Sequence, residues 1–138
     1  MVDLAVVVVT WNSREYVLDA LRSLFADLEA TGLSAQVYVV DSASSDDTPQ
    51  VIAAAFPQVK LFASHENLGF AKANNLALQH IGFGQPNAQD LPRAVYLLNP
   101  DTITQLGATR TLYETLMANP IWGLVGAQLA YEDGSFQH

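Results

Sequence analysis

The sequence has 138 residues, of which half are hydrophobic and only 14% are charged, so it can bury a core and differs from disordered chains. Fourteen acids against six Lys and Arg give a formal net charge of −8, which argues against binding nucleic acid or an anionic membrane through a cationic face. No cysteine is present, which excludes disulfides and thiolate metal sites. An acidic chain that holds a phosphorylated ligand needs a divalent metal or backbone amides to offset the repulsion.

The first predicted element is a strand at residues 4–10, an apolar run without alternation that is typical of a parallel strand buried on both faces. This run is too short to span a bilayer, and no positive segment marks it as a signal peptide. Asn12 with Glu15 three residues later fits an N-cap signature and predicts that a helix begins there. Gly32 is predicted to end that helix.

Further strands and helices alternate along the rest of the chain. The strands are predicted at residues 36–40, 59–63, 94–98 and 122–130. A short helix opens at Thr48-Pro49, another follows Gly69, and Thr102 with Gln105 resembles a capping box for a helix that runs to about Asn119. Residues 82–92 are predicted to be a loop, and Asp133-Gly134 a tight turn.

The short helix is predicted to turn the apolar side chains of Val51, Ile52, Ala55 and Phe56 inward. The helix after Gly69 has apolar residues that include Phe70, Ala73, Ala77 and Ile81. The order β-α-β-α-β-α-β-α-β predicts an α/β fold with an open, mainly parallel sheet and helices on both faces.

Polar residues follow the predicted strands, at the edge where open parallel sheets bind ligands. The first strand ends in Thr10, Trp11 and Asn12, the second ends in Asp41 and Ser42, the third leads to residues 65–69, and the fourth ends in Asn99, Pro100 and Asp101. The sequence therefore predicts a binding site at this edge.

Several of these residues have a structural interpretation beside the functional one. Asp41 could accept hydrogen bonds from a base or ribose, or it could cap the next turn with Ser44 and Ser45. Asp101 could coordinate a divalent cation or form an Asx-type turn. Trp11 could stack on a nucleobase or pack on the first helix.

Amides near the third strand could contact a phosphate. Asn67 and Gly69 precede a helix that carries Asn74 and Asn75 near its start. There is no GxGxxG motif after the first strand, which disfavours nicotinamide binding, and there is no P-loop motif. The histidines lack metal-ligand spacing and are interpreted as surface or loop residues: His65, His80 and His138.

Five motifs in one order make the chain resemble family 2 glycosyltransferases with the GT-A fold, most closely the bacterial rhamnosyltransferase-like branch. They are VVTWN at 8–12, VVDSASSDDT at 39–48, NLGFAKANN at 67–75, LLNPDT at 97–102, and VGAQL at 125–129 with DGS at 133–135. Together they cover nearly the whole chain.

The resemblance implies a pocket for a nucleoside-diphosphate sugar, most often a dTDP- or UDP-sugar. Its nucleotide-binding residues would be Thr10, Trp11, Asn12, Asp41, Asn67, Gly69, Phe70, Asn74 and Asn99. Asp41 would hydrogen-bond the pyrimidine base, and residues 69–75 would border the ribose and diphosphate. Asp101 would bind Mg²⁺ or Mn²⁺, which would act as a Lewis acid on the diphosphate.

Two residues depart from the commonest family pattern, and both departures are familiar in the rhamnosyltransferase-like branch. Asn99 replaces the first acid of the Asp-x-Asp motif and leaves Asp101 as the main metal ligand. Asn74 stands where many relatives have an Arg near the diphosphate.

The resemblance also implies that part of the enzyme lies elsewhere. In the family, the acceptor site and general base follow the Asp-Gly turn, so the base is expected beyond His138. Residues 1–138 are then the nucleotide-sugar-binding part of a single GT-A domain whose C-terminal acceptor half is missing. Apolar sheet surface left uncovered would favour a homodimer.

The leading hypothesis is an inverting, metal-assisted transfer of sugar to a saccharide or lipid-linked acceptor, in polysaccharide or glycolipid synthesis. The expected location is the cytoplasm, including the inner face of the plasma membrane. A non-catalytic nucleotide-binding module is the alternative, favoured by the absent base and the weakened metal motif. A small doubly wound signalling or flavin-binding domain is a third, which the Asn-Pro-Asp and Asn-Leu-Gly-Phe-Ala runs disfavour.

Overall fold

The structure, a computed structural model, describes residues 2–86 and 88–137. Its elements are β1 (Leu4–Thr10), α1 (Val17–Thr31), β2 (Ala35–Asp41), α2 (Thr48–Ala55), β3 (Lys60–Ala63), α3 (Gly69–Ile81), β4 (Ala94–Leu98) and α4 (Ala108–Ala118). The first four predicted strands are confirmed, and each is followed by a helix. The predicted loop at 82–92 is also confirmed, except for Asn87, which lies outside the described residues.

The four strands form one parallel sheet in the order β3-β2-β1-β4. In the register, Thr10 of β1 lies beside Asp41 of β2, and Asp41 lies beside Ala63 of β3. On the other side of β1, Val8 lies beside Leu98 of β4. The carboxyl ends of all four strands therefore meet at one edge of the sheet, as the sequence predicts.

Alternate side chains of the strands belong to two apolar clusters, one on each face of the sheet. One cluster contains Val6 and Val8 and packs under α1, α2 and α4. The other contains Val7 and packs under α3. This confirms an open α/β sheet with helices on both faces. Among the described residues, no helix is long and apolar enough to cross a bilayer.

The predicted start of α1 is wrong. The helix begins at Val17, and its N-cap residue Tyr16 makes no side-chain cap. Asn12 has a φ of 49° and its side chain accepts a hydrogen bond from the amide of Ser45, so it does not cap the helix. Gly32, with a φ of 71°, ends the helix as predicted.

The predicted start of α4 is also wrong. The helix begins at Ala108 after Gly107, whereas the hydroxyl of Thr102 donates to the carbonyl of Asn99 at 2.9 Å. Thr102 and Gln105 thus form no capping box. The prediction failed because the first turn of α4 finds its partner on another helix.

The predicted fifth strand at residues 122–130 does not form within the described part of the chain. Among the residues that the structure describes, its only strand pairing is one antiparallel bridge between Ala130 and Phe136, around the predicted Asp133-Gly134 turn. An apolar run becomes a strand only when a neighbouring ladder takes its backbone groups. Ala55, which was predicted to face inward, is exposed.

Candidate functional site

The carboxylate of Asp41 ends β2 and lies at the centre of the polar edge. It is 1% exposed and accepts three hydrogen bonds. The donors are the hydroxyl of Thr10 at 2.8 Å and the amide and hydroxyl of Ser44 at 2.9 and 2.5 Å. The turn-capping interpretation of Asp41 thus holds for Ser44, while Ser45 bonds to Asn12 instead. A carboxylate has about four acceptor positions, so one is left for another donor.

Asn12 ties the loop after β1 to the loop after β2. Its amide donates to the Ser44 hydroxyl at 2.8 Å, and its side-chain oxygen accepts from the Ser45 amide at 2.8 Å. Asn is among the few non-glycine residues that tolerate such a positive φ. The neighbouring Trp11 is 57% exposed, so most of its indole surface is available to a stacking partner.

A second set of hydrogen bonds joins the same two loops through Asp46, which sequence reasoning missed. Its carboxylate accepts from the Arg14 amide at 3.1 Å and from the Thr48 hydroxyl at 2.5 Å. Thr48 in turn accepts from the Ser13 amide at 2.9 Å. Burial works to raise the pKa of Asp46, but the bonds from Thr48 and Arg14 outweigh it and hold the pKa below its usual 3.8.

The turn between β3 and α3 is attached to the end of β2. The Ser42 hydroxyl accepts from the amide of Leu68 at 2.9 Å, and the Asn67 side chain accepts from the amide of Gly69 at 2.8 Å. Gly69 has a φ of 64°, a conformation that favours glycine. Phe70 follows in the first turn of α3 with an exposed ring.

The two asparagines of α3 differ in accessibility. Asn74 is buried, and its side-chain amide donates to the carbonyl of Phe70 within the helix at 2.9 Å. Asn75 is exposed. The structure therefore leaves the side chain of Asn75, and not that of Asn74, open to solvent, while the role of Asn74 toward a donor stays a prediction.

Asn99 and Asp101 follow β4, the strand beside β1, and both side chains are exposed. Within the described residues no hydrogen bond or ion pair engages the Asp101 carboxylate. There is also no cluster of three or more His, Cys, Asp or Glu side chains among them that could hold a metal ion. Mg²⁺ is commonly held by one or two carboxylates with phosphate oxygens and water, so the oxygen donors of Asp101 and Asn99 fit such an ion.

Sequence reasoning also missed two side chains of α1 that hold the loop after β4. Ser23 accepts from the Thr104 amide at 3.0 Å, and Asp27 accepts from two amides at the start of α4. Both residues lie among the apolar positions of an amphipathic helix, and no local pattern marks them. His65 and His80 are exposed as predicted, whereas His138 lies outside the described residues.

A family model and individual known proteins match this sequence. The sequence model described as Glycosyl transferase family 2 matches residues 5–135. The N-acetylglucosaminyl-diphospho-decaprenol L-rhamnosyltransferase of Mycobacterium tuberculosis is 30% identical over 137 residues, covering 96% of this chain and 43% of the relative. The succinoglycan biosynthesis protein ExoO of Rhizobium meliloti is 35% identical over 77 residues, covering 55% and 21%. The chain spans less than half the length of these relatives.

Solved structures share the fold. The S. aureus TarS 1–349 structure has a TM-score of 0.63 and 22% identity, covering 84% of this chain and 32% of TarS 1–349. The same protein in complex with UDP-GlcNAc has a TM-score of 0.62 and 23% identity, covering 84% and 31%. At this level of identity, the likeness concerns the arrangement of strands and helices.

Proposed function

Because the chain belongs to glycosyl transferase family 2 and has the GT-A fold, we propose that it binds the nucleoside-diphosphate sugar for a sugar transfer by the whole protein. The main support for the proposal is the polar edge of the sheet, at the carboxyl ends of the strands. There, Asn12 and Asp41 bind the loops after β1 and β2 together, and Asp101 lies past the adjacent strand β4. In open parallel sheets this edge is where ligands bind.

The base of the donor would lie over the ends of β1 and β2. Trp11 offers an exposed aromatic surface for stacking, and Asp41 has one acceptor position beyond its three internal donors. A pyrimidine with an N–H group matches one free acceptor of this kind. We therefore propose a dTDP- or UDP-linked donor, with Thr10 and Ser44 holding Asp41 in place.

The diphosphate would lie toward β4. The chain carries a formal net charge of −8, so a diphosphate near Asp101 needs a cation between them. Asp101 and Asn99 would hold Mg²⁺ or Mn²⁺ through their side-chain oxygens. When bound, the metal supplies Lewis-acid stabilisation of the departing nucleoside diphosphate.

The remaining chemistry is assigned to the acceptor part of the protein. We propose an inverting transfer, in which an acceptor hydroxyl attacks the sugar from the side opposite the leaving diphosphate. Such an attack needs a positioned base, and that base would lie outside residues 1–138, which form the nucleotide-sugar-binding part of a single domain.

The relatives suggest the acceptor class. By its name, the Mycobacterium tuberculosis relative transfers L-rhamnose to a lipid-linked N-acetylglucosaminyl diphosphate, and the Rhizobium relative takes part in succinoglycan biosynthesis. We propose a lipid-linked or other saccharide acceptor for this protein as well, in polysaccharide or glycolipid assembly. A lipid-linked acceptor would place the reaction at the cytoplasmic face of a membrane.

The test is calorimetric titration of the chain with UDP, dTDP and GDP, each with and without Mn²⁺. The expected result is a preference for the pyrimidine nucleotides and tighter binding when Mn²⁺ is present. Asp101→Ala should abolish the gain from Mn²⁺, because it removes the one carboxylate at the proposed metal position. Glu132→Ala, a change at an exposed acid, is the control and should retain the gain.

Two outcomes would count against the proposal. A preference for GDP would contradict the pyrimidine assignment. Pyrimidine binding without any gain from Mn²⁺ would contradict the metal role of Asp101 and favour a non-catalytic nucleotide-binding module.

A further inference from the structure

The loop between β4 and α4 carries Asn99 and Asp101, yet no side chain of this loop caps the helix that follows. The N-cap residue is Gly107, which has a φ of 88° and no side chain to offer. The first amides of a helix have no partner within the helix. Here the carboxylate of Asp27 on α1 accepts from the amide of Gly107 at 2.5 Å and from that of Thr109 at 2.9 Å.

This contact explains how the side chain of Asp27 can be buried. Its exposure is 0%, and a buried charge is costly unless it is hydrogen-bonded. The amino-terminal end of a helix is positively polarised, so α4 offers a carboxylate both hydrogen-bond donors and a favourable charge. Because about 80 residues separate the partners, the contact fixes α4 to α1 through tertiary structure.

Ser23 provides a second attachment one helical turn earlier on α1. Its hydroxyl oxygen accepts from the amide of Thr104 at 3.0 Å, while the hydroxyl donates to the carbonyl of Ala20 at 2.9 Å. Residues four apart share one face of a helix, so Ser23 and Asp27 present one polar stripe to the loop. The loop is thus held at residues 104, 107 and 109, and β4 holds its other end through pairing with β1.

We propose that Ser23 and Asp27 are positioning residues for Asp101. The inference rests on the proposed function of Asp101 as the metal ligand. A site with a single carboxylate depends strongly on how that carboxylate is held, because partners outside the ligand shell orient the ligands and tune affinity. By fixing three backbone amides after Asp101, α1 preorganises the loop that presents the carboxylate to the metal and diphosphate.

The test compares UDP binding with and without Mn²⁺ in the wild type, Asp27→Asn and Ser23→Ala. The gain is the ratio of the UDP affinity with Mn²⁺ to that without it. In Asp27→Asn one oxygen can still accept, while the new NH₂ group faces an amide donor. The gain should fall about tenfold, the lower end of what losing an outer partner costs a metal site.

Ser23→Ala should lower the gain less, because it removes one bond of three. UDP affinity without Mn²⁺ should stay unchanged in both variants, since the hydrogen bonds of Ser23 and Asp27 go to Ala20 and the segment before and at the start of α4, and not to Trp11 or Asp41. Glu29→Gln is the matched control, because it removes a negative charge from an exposed position of the same helix and should leave the gain intact.

The possible results distinguish a failure of the metal role of Asp101 from a failure of the positioning role of Ser23 and Asp27. A wild type with no gain from Mn²⁺ overturns the metal role of Asp101, and the positioning role with it. A wild type with the gain and variants that keep it overturn only the positioning role. A variant that loses metal-free UDP binding as strongly as the gain reports a general structural defect, which also contradicts positioning. If Asp27→Asn does not fold, Ser23→Ala decides.

Discussion

At the scale of the residue, buried hydrogen bonds determine the geometry of the site. Thr10 and Asp41 are both buried, and the threonine hydroxyl is one of the three donors to that carboxylate. A buried carboxylate that loses a donor keeps its desolvation cost without the compensating bond. Small polar side chains therefore matter here for stability.

Thr10→Val should destabilise the fold while preserving its shape. Valine has nearly the volume of threonine but cannot donate to Asp41, so the free energy of unfolding should fall by about 1–3 kcal/mol. Urea unfolding measures this. Thr111→Val is the control, since Thr111 is exposed on α4 and its loss should stay within about 0.5 kcal/mol. Equal losses in both variants would show that the Thr10–Asp41 bond contributes little.

We expect the stability of the fold to depend on pH through the carboxyl group of Asp46. Its pKa in the folded state is below the usual 3.8, so the ionised form is favoured by folding. Its contribution is therefore complete above pH 3.8 and is lost as the pH falls from 3.8 through the lower folded-state pKa.

Urea unfolding at several pH values tests this prediction. Asp46→Asn should be less stable than the wild type at neutral pH, and the difference should shrink below pH 3.8. Asp47→Asn controls for the loss of one negative charge at the adjacent exposed position. A difference that does not change with pH would contradict the assignment to Asp46.

At the scale of the element, the helices begin where the preceding loops allow, and these loops are held by residues from elsewhere in the chain. Before α1, the amide of Ser13 donates to Thr48, the first residue of α2, and the amide of Arg14 donates to Asp46 in the loop before α2. The first turn of α4 is capped by Asp27 of α1. Gly107 allows Asp27 to cap α4, because its positive φ turns the backbone toward Asp27.

Gly107→Ala should therefore destabilise the protein through the backbone alone. A Cβ at Gly107 would meet no atom within 4 Å, so sterics with other residues play no part. The left-handed conformation should cost a non-glycine residue about 1–2 kcal/mol.

Gly123→Ala is the matched control, because Gly123 has equally open surroundings and no positive φ. Its effect should stay within about 0.5 kcal/mol in the same urea unfolding experiment. A Gly107→Ala protein as stable as the control would show that the loop readily adopts another path to α4.

At the scale of the whole molecule, apolar surface is concentrated on the side of β4 and the segment after α4. A cavity of about 600 Å³ lies there, lined mainly by β4, α4 and residues 123–129. Ile121 is 93% exposed and Leu124 86% exposed. Exposed apolar patches of this kind mark surfaces that associate, so we propose that copies of this chain associate through this side.

Sedimentation velocity over a range of concentrations tests the association. The wild type should form dimers as the concentration rises, more readily at raised salt, which screens the repulsion between acidic chains. Leu124→Asp should shift the equilibrium toward monomer, since it puts a charge into the patch. Ala54→Asp, at an exposed position of α2, should not. A wild type that is monomeric at every concentration would contradict the proposal.

Residue order by itself determined the four α/β units, the two-sided burial of β1 and the family of the protein. These follow from local signals, because apolar periodicity, Gly and Pro positions and short motifs are carried by neighbouring residues. The sequence also placed four residues at one edge of the sheet, because parallel strands end on the same side. These residues are Trp11, Asn12, Asp41 and Asp101.

Only the tertiary structure decided the order β3-β2-β1-β4, the true starts of α1 and α4, and the fate of residues 122–130. It also decided that Asn74 is buried while Asn75 is exposed, and that Asp27 is a cap and not merely part of a helix face. Each of these depends on hydrogen bonds or packing between residues far apart in the chain. Local periodicity cannot report such partners, because the energy of an unpaired amide or a buried carboxylate is settled only by the group that folding brings against it.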